Sequence, residues 1–221
     1  MNDLDFSNLP LAKDLLSNLG SLGYLAMTPI QAQSLPTILA GKDVIGQAKT
    51  GSGKTVAFGL GLLNKLDVKR YNVQSLVICP TRELADQVAT EIRKLARAIQ
   101  NIKVLTVCGG APFGLQASSL KHGVQIVVGT PGRIQDHLDR ETLHLDNIST
   151  LVLDEADRML EMGFEEPIDE IVRQLPATRQ TLLFSATYPQ QIKGLARRYL
   201  VDSQMVKVDA IHDATTIAQS F

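Results

Sequence analysis

The sequence predicts an α/β domain with a mostly parallel sheet and helices on both faces. Three observations carry this. Short apolar runs recur along the chain, several of them continuous rather than alternating, as strands covered on both sides require. The stretches between them have helical character, with no Gly/Ser-rich linker to divide them. A glycine-rich loop follows the first run and opens into another apolar stretch, the strand-loop-helix order of a phosphate-binding unit.

In chain order the predicted strands are "VIGQA" at 44, "SLVICP" at 75, "KVLTV" at 103, "QIVVG" at 125, "TLVLDE" at 150 and "TLLFSAT" at 181. Between the second and third, Leu84, Val88, Ile92, Leu95 and Ile99 recur at steps of four and three, which predicts one apolar stripe on a helix. The chain shows no internal repeat and no low-complexity tract. Its last residues, "IHDATTIAQSF", are polar and lack periodicity, and read as the start of a linker. The expected division is residues 1–40 as an N-terminal region packed on the domain, 41–209 as the nucleotide-binding domain, and 210–221 as linker.

Composition narrows the function. Lys+Arg 22 against Asp+Glu 23 leaves a formal charge of −1, so no global field draws the protein to a polyanion, and nucleic-acid contact would need a local strip. Cys79 and Cys108 lie in apolar stretches without metal-ligand spacing, as free buried thiols of a reducing compartment do. The start "MNDLDFSNLP" lacks a basic region followed by an apolar core, and no apolar run approaches the roughly 18 residues of a membrane span. A cytoplasmic protein with no membrane contact is expected. His122, His137, His144 and His212 are scattered and are assigned no chemistry.

"AKTGSGKT" at 48–55 is the phosphate loop. Gly51 and Gly53 let backbone amides turn toward phosphates, and the helix N-terminus that follows favours an anion. Lys54 would reach the β and γ phosphates and Thr55 would offer a hydroxyl to Mg²⁺. Ala48 stands where the strict pattern has glycine. The stretch "LVLDEADRML" at 151–160 allows two readings by itself: a strand emerging into a solvated helix start, or a metal-nucleotide site at a parallel sheet edge. With the loop in place the second prevails. Asp154 can hold the Mg²⁺ that bridges the phosphates, and Glu155 can orient or deprotonate the attacking water.

"DEAD" at 154–157 resembles the name-giving motif of the DEAD-box ATP-dependent RNA helicases. In that family's order the chain also carries "GYLAMTPIQ" at 23–31, the phosphate loop, "PTRELA" at 80–85, "GG" at 109–110, "TPGR" at 130–133 and "SAT" at 185–187. Each is similar to an element of the family's first RecA-like domain. The resemblance therefore implies a single RecA-like P-loop NTPase domain that takes ATP and Mg²⁺, with residues 1–40 forming the Q-motif region. It implies that Gln31 reads adenine, with Thr28 beside it, and that Phe6, seventeen residues before Gly23, stacks on the base. It extends the nucleotide set to Ala48, Thr50, Gly51, Ser52, Gly53, Lys54 and Thr55. Met27 stands where many members have proline, and Pro29 still fixes the turn.

For RNA the resemblance points to Thr81, Arg82, Gly109, Gly110, Thr130 and Arg133. These residue types hold a sugar-phosphate backbone without reading its sequence. Asp157, Ser185 and Thr187 are implied to couple the nucleotide state to RNA engagement. Family members carry a second RecA-like domain whose arginines reach the transition state, and neither of its arginine-bearing segments occurs in these 221 residues. An arginine finger is worth about 10³ to 10⁵ in rate, so slow hydrolysis and no unwinding are expected of this chain alone. Within the family the motif surroundings most resemble the bacterial DbpA subgroup, whose members add a C-terminal domain that finds a hairpin in large-subunit ribosomal RNA. The competing readings are a nucleotide-dependent RNA clamp without productive turnover, a DNA-directed helicase and a GTPase.

Overall fold

The computed structural model describes residues 4–208. The expected linker at 210–221 lies outside the described residues. All six predicted strands form: β1 Val44–Gln47, β2 Ser75–Ile78, β3 Val104–Val107, β4 Ile126–Gly129, β5 Thr150–Leu153 and β6 Gln180–Ser185. A seventh, β7 Gln204–Lys207, is an addition that the sequence reading missed. The sheet order is β3-β4-β2-β5-β6-β1-β7, and every neighbouring pair is parallel.

Burial explains which strands were legible. Every residue of β2, β4, β5 and β6 is buried, so both faces select apolar side chains and the runs are continuous. In β7, at the sheet edge, only Val206 is buried. A four-residue edge strand with one core residue leaves little pattern to read.

Nine helices are described: α1 Lys13–Ser21, α2 Pro29–Leu39, α3 Lys54–Lys65, α4 Arg82–Leu95, α5 Phe113–Lys121, α6 Pro131–Asp139, α7 Ala156–Glu161, α8 Glu165–Arg173 and α9 Gln190–Tyr199. One core cluster holds Leu15, Leu35, Phe58 and Ile92, from α1 to α4, against Val77, Val128 and Phe184 of the sheet. The other holds Ile134, Met159, Ile171 and Leu195, from α6 to α9, against Leu76, Val127 and Leu183. Alternate residues of one strand thus feed opposite cores, because side chains alternate across a sheet.

The stripe on α4 is real but shorter than expected. Val88, Ile92 and Leu95 are buried, whereas Leu84 is half-buried. The helix stops at Leu95 and a 3₁₀ turn at Ala96–Ala98 carries Ile99 past its end. Asn18, buried on α1, donates Nδ2 to the Lys94 and Leu95 carbonyls at 2.9 and 2.8 Å, satisfying acceptors that a helix end leaves open. Asp43, just before β1, accepts from Thr181 N and Val201 N at 2.8 Å each. These bonds fix the entrance of β1, and therefore the height at which its phosphate loop leaves the sheet.

Candidate nucleotide and RNA site

Every motif singled out above except the N-terminal ones leaves the C-terminal end of a strand, because parallel strands joined by crossover helices deliver their loops to one edge. β1 leads into the phosphate loop, β2 into Pro80 and Thr81, β3 into Gly109 and Gly110, β4 into Thr130, β5 into Asp154 and Glu155, and β6 into Ala186 and Thr187. Residues scattered over some 140 positions therefore share one edge.

The phosphate loop is anchored at both ends. Ala48 is buried, donates its amide to the Ser185 carbonyl at 3.1 Å and accepts Lys54 Nζ at 2.9 Å. A methyl in place of glycine is accommodated there. Gly53 precedes α3 with φ +97°, and a Cβ on it would meet Gln31 Nε2 at 2.5 Å, so glycine is required both for conformation and for space. Ser52 Oγ is buried without a hydrogen-bond partner among the described residues, a polar atom whose bonding capacity is unused.

Beside the loop, Asp154 is 2% exposed and its Oδ1 accepts the Glu155 amide at 3.1 Å. Burial pushes its carboxyl up to about 6, against the opposing pull of the Lys54 charge. Glu155 sits in the left-handed region, φ 53° and ψ 51°, a conformation that costs energy in a non-glycine residue and here turns the acid out of the strand line. Its carboxylate accepts from Thr50 Oγ1 at 3.1 Å and faces Arg158 Nη1 at 3.4 Å.

The donor set suits Mg²⁺ and a nucleoside triphosphate. One buried carboxylate and one half-buried hydroxyl, Thr55, match an ion that keeps several waters and completes its shell with phosphate oxygens. Among the described residues no cluster of three or more His, Cys, Asp or Glu side chains is placed to hold a metal by protein ligands alone.

Phe6 and Gln31 have other partners in this structure. Phe6 is 4% exposed within the core cluster, so stacking on a base requires its ring to turn outward. Gln31 is 2% exposed, accepts the Thr28 amide at 2.9 Å and donates to the Gly53 carbonyl at 3.1 Å. Its amide thus joins the start of α2 to the phosphate loop, with one N–H and one lone pair left for a base edge.

Along the same edge, Arg82 Nη1 donates to the Gly109 carbonyl at 2.9 Å, and a Cβ on Gly110, at φ +85°, would collide with that guanidinium. Thr81 caps α4 by accepting from Leu84 N at 3.3 Å. Thr81, Arg82, Gly109, Gly110 and Thr130 border a cleft of about 540 Å³ together with Met162 and Phe164, two apolar residues that the sequence reading did not assign. Arg133 stands beyond it, bonded to the Ala111 carbonyl.

Asp157 meets the loop after β6. Its Oδ2 accepts from Thr187 N at 2.9 Å and Thr187 Oγ1 at 2.8 Å, while its amide donates to Ser185 Oγ at 3.3 Å. Burial raises this carboxyl, but the bonds from Thr187, Ser185 and Arg158 outweigh it and hold the group below the ordinary aspartate value. A cavity of about 730 Å³, lined by Tyr71, His122 and His144 among others, lies by the residues that lead into β2 and β4, away from these motifs. Cys79 and Cys108 are free and buried, and burial pushes both thiols up. No described helix is long and apolar enough to cross a membrane.

The DEAD/DEAH box helicase family matches residues 28–195. The chain is 57% identical over 206 residues to the ATP-dependent RNA helicase DbpA of Escherichia coli, covering 93% of this chain and 45% of that protein. It is 47% identical over 216 residues to the ATP-dependent RNA helicase CshA of Listeria monocytogenes, covering 98% of this chain and 41% of that one. A DEAD box protein from Methanococcus jannaschii superposes with a TM-score of 0.89 at 38% identity, over 93% of this chain and 56% of that one. The chain thus spans about half the length of the relatives it matches. A family match across most of the chain and a shared fold agree with the order of motifs along the sheet edge, and the chain belongs to the DEAD/DEAH box helicase family.

Proposed function

We propose that the chain is the N-terminal, ATP-binding half of a DEAD-box RNA helicase, acting with a second RecA-like domain to couple ATP hydrolysis to local unwinding of RNA duplexes. The observation that carries this reading is the contact of Asp157 with Ser185 and Thr187 beside Asp154 and Glu155, which joins the hydrolytic acids to a second strand end. ATP would lie on the loop amides of residues 50–54, with Lys54 turned from the Ala48 carbonyl to the phosphates and Gln31 toward adenine. Thr55 and Asp154 would hold Mg²⁺, which supplies positive charge to the phosphoryl oxygens. Glu155, already outside the strand line, accepts the proton of the attacking water. Thr81, Arg82, Gly109, Gly110, Thr130 and Arg133 would hold an RNA backbone without reading its bases.

The arginines that complete the transition state belong to the second domain, so this chain alone hydrolyses ATP slowly. Free buried thiols suit the cytoplasm, and the likeness to DbpA supports a role in ribosome assembly. The first test is steady-state ATP hydrolysis by the 221-residue chain with and without structured RNA. Background turnover in both supports the half-enzyme reading; strong RNA stimulation overturns it. In the completed two-domain protein, Glu155→Gln should abolish turnover and keep nucleotide binding, whereas unchanged turnover would instead favour an RNA clamp in which Glu155 has no catalytic part.

A further inference from the structure

Arg133 is the most constrained of the cationic side chains on the proposed RNA edge. It is mostly covered, its side chain being 14% exposed. Nη1 donates to the Ala111 carbonyl at 3.0 Å and to Gln116 Oε1 at 2.9 Å, and Nε faces Asp136 at 3.5 Å. The Phe113 ring lies 5.8 Å from its Cζ. Among the described residues Nη2 makes no hydrogen bond, so two N–H groups remain for an outside acceptor.

Gln116 is 5% exposed on α5, and its amide orientation is determined by its neighbours. Nε2 donates to the Cys108 carbonyl at 3.0 Å, immediately before Gly109 and Gly110. Reversing the amide would set carbonyl against carbonyl and NH₂ against guanidinium. Oε1 is therefore the acceptor, and it takes a second donor from His137 Nε2 at 3.0 Å.

His137 is fully buried, with Nδ1 2.7 Å from Thr142 Oγ1 and its ring stacked on Phe113, centroids 4.1 Å apart and 12° from parallel. Arg140 covers Phe113 at 4.5 Å. Burial first, then the charges of Arg133 and Arg140, lower the imidazole pKa against the opposing effect of Asp136. A neutral ring with its proton on Nε2 satisfies Gln116 without placing a further cation beside Arg133.

We propose that Gln116, held in turn by His137, is a positioning residue that aims Arg133 at the RNA backbone while tying it to the Gly109–Gly110 turn. This rests on the reading of that edge as an RNA surface. Three groups converge on one amide, the Cys108 carbonyl after β3 and Arg133 and His137 of α6, and only the arginine among them retains unused N–H donors among the described residues. An arginine pre-set in this way loses less side-chain freedom on meeting a phosphate than one free in solvent.

The test is a coupling measurement on the 221-residue chain, reading fluorescence anisotropy of a labelled single-stranded RNA at low salt with Gln116→Met, Arg133→Ala and the double variant. Each single change should weaken binding about tenfold, the scale of one charge-assisted hydrogen bond, and the double should be no weaker than Arg133→Ala. Independent losses that multiply to about a hundredfold, or unchanged binding by Gln116→Met beside a weakened Arg133→Ala, overturn the proposal. Unchanged binding by Arg133→Ala is a different failure, that of the RNA surface at this residue, and removes the inference with it.

ATP affinity of Gln116→Met, measured in parallel, should match that of the wild type. If Gln116→Met does not fold, His137→Phe keeps an aromatic ring against Phe113 and removes the Nε2–H to Gln116 together with the Nδ1 contact to Thr142. It should lose about threefold in RNA affinity, lose nothing further in the Arg133→Ala background, and recover in His137→Gln, which returns a donor. A loss that persists in the Arg133→Ala background, or is not recovered by His137→Gln, overturns the positioning role.

Discussion

Asp154→Asn should make the protein more stable while removing its metal site. The fold pushes this carboxyl from 3.8 up to about 6, burial being the largest cause. A raised carboxyl pKa means that the folded protein prefers the protonated form. The associated stability is fully present below 3.8 and is lost as pH rises through about 6.

At pH 7.4 the ionised carboxylate therefore costs about 3 kcal/mol, from roughly two units at 1.36 kcal/mol each. Asparagine resembles the protonated acid and can still accept the Glu155 amide through Oδ1. The loss of the Lys54 attraction is already contained in the shifted value. For a domain of this size about 3 kcal/mol corresponds to a rise of roughly 6 to 12 °C in melting temperature. The assay is thermal unfolding of both proteins without nucleotide and with chelator, at pH 7.4 and pH 5. The gain should shrink to about half at pH 5, where much of the wild-type carboxyl is protonated. An asparagine variant no more stable than wild type at pH 7.4, or a gain independent of pH, would refute the reasoning. The same variant should lose the Mg²⁺-dependent part of its nucleotide affinity.

Two further outcomes concern the supports of the site. Asn18→Ala leaves the Lys94 and Leu95 carbonyls without their side-chain donor and should cost about 2 kcal/mol in chemical denaturation. Asp157→Ala should cost only about 1 kcal/mol at neutral pH, because the carboxylate is partly exposed and its bonds are screened. Its pKa is lowered in the fold, so that contribution is present above 3.8 and disappears as pH falls through the lower folded value. Denaturation midpoints of variant and wild type should therefore converge in acid.

Much of this protein is determined by local sequence. Six strands were legible, four of them because every residue is buried and both faces favour apolar side chains, and the phosphate loop because a glycine turn before a helix works by backbone geometry. The acids of 154–157 were legible for a related reason: charge at the end of a buried run has to reach something. Tertiary structure decided what local pattern does not encode. β7 contributes one core side chain and has no periodicity to show, and Ile99 passes the helix end because α4 closes on the side chain of Asn18, more than seventy residues away in the chain. The partners of Phe6 and Gln31 depend on how the N-terminal region packs against the phosphate loop. His137 and Gln116, which carried no signal as single residues, acquire meaning only where α5 and α6 bring both against Arg133. Backbone demands are written residue by residue, whereas the aim of a side chain depends on neighbours that folding brings from elsewhere in the chain.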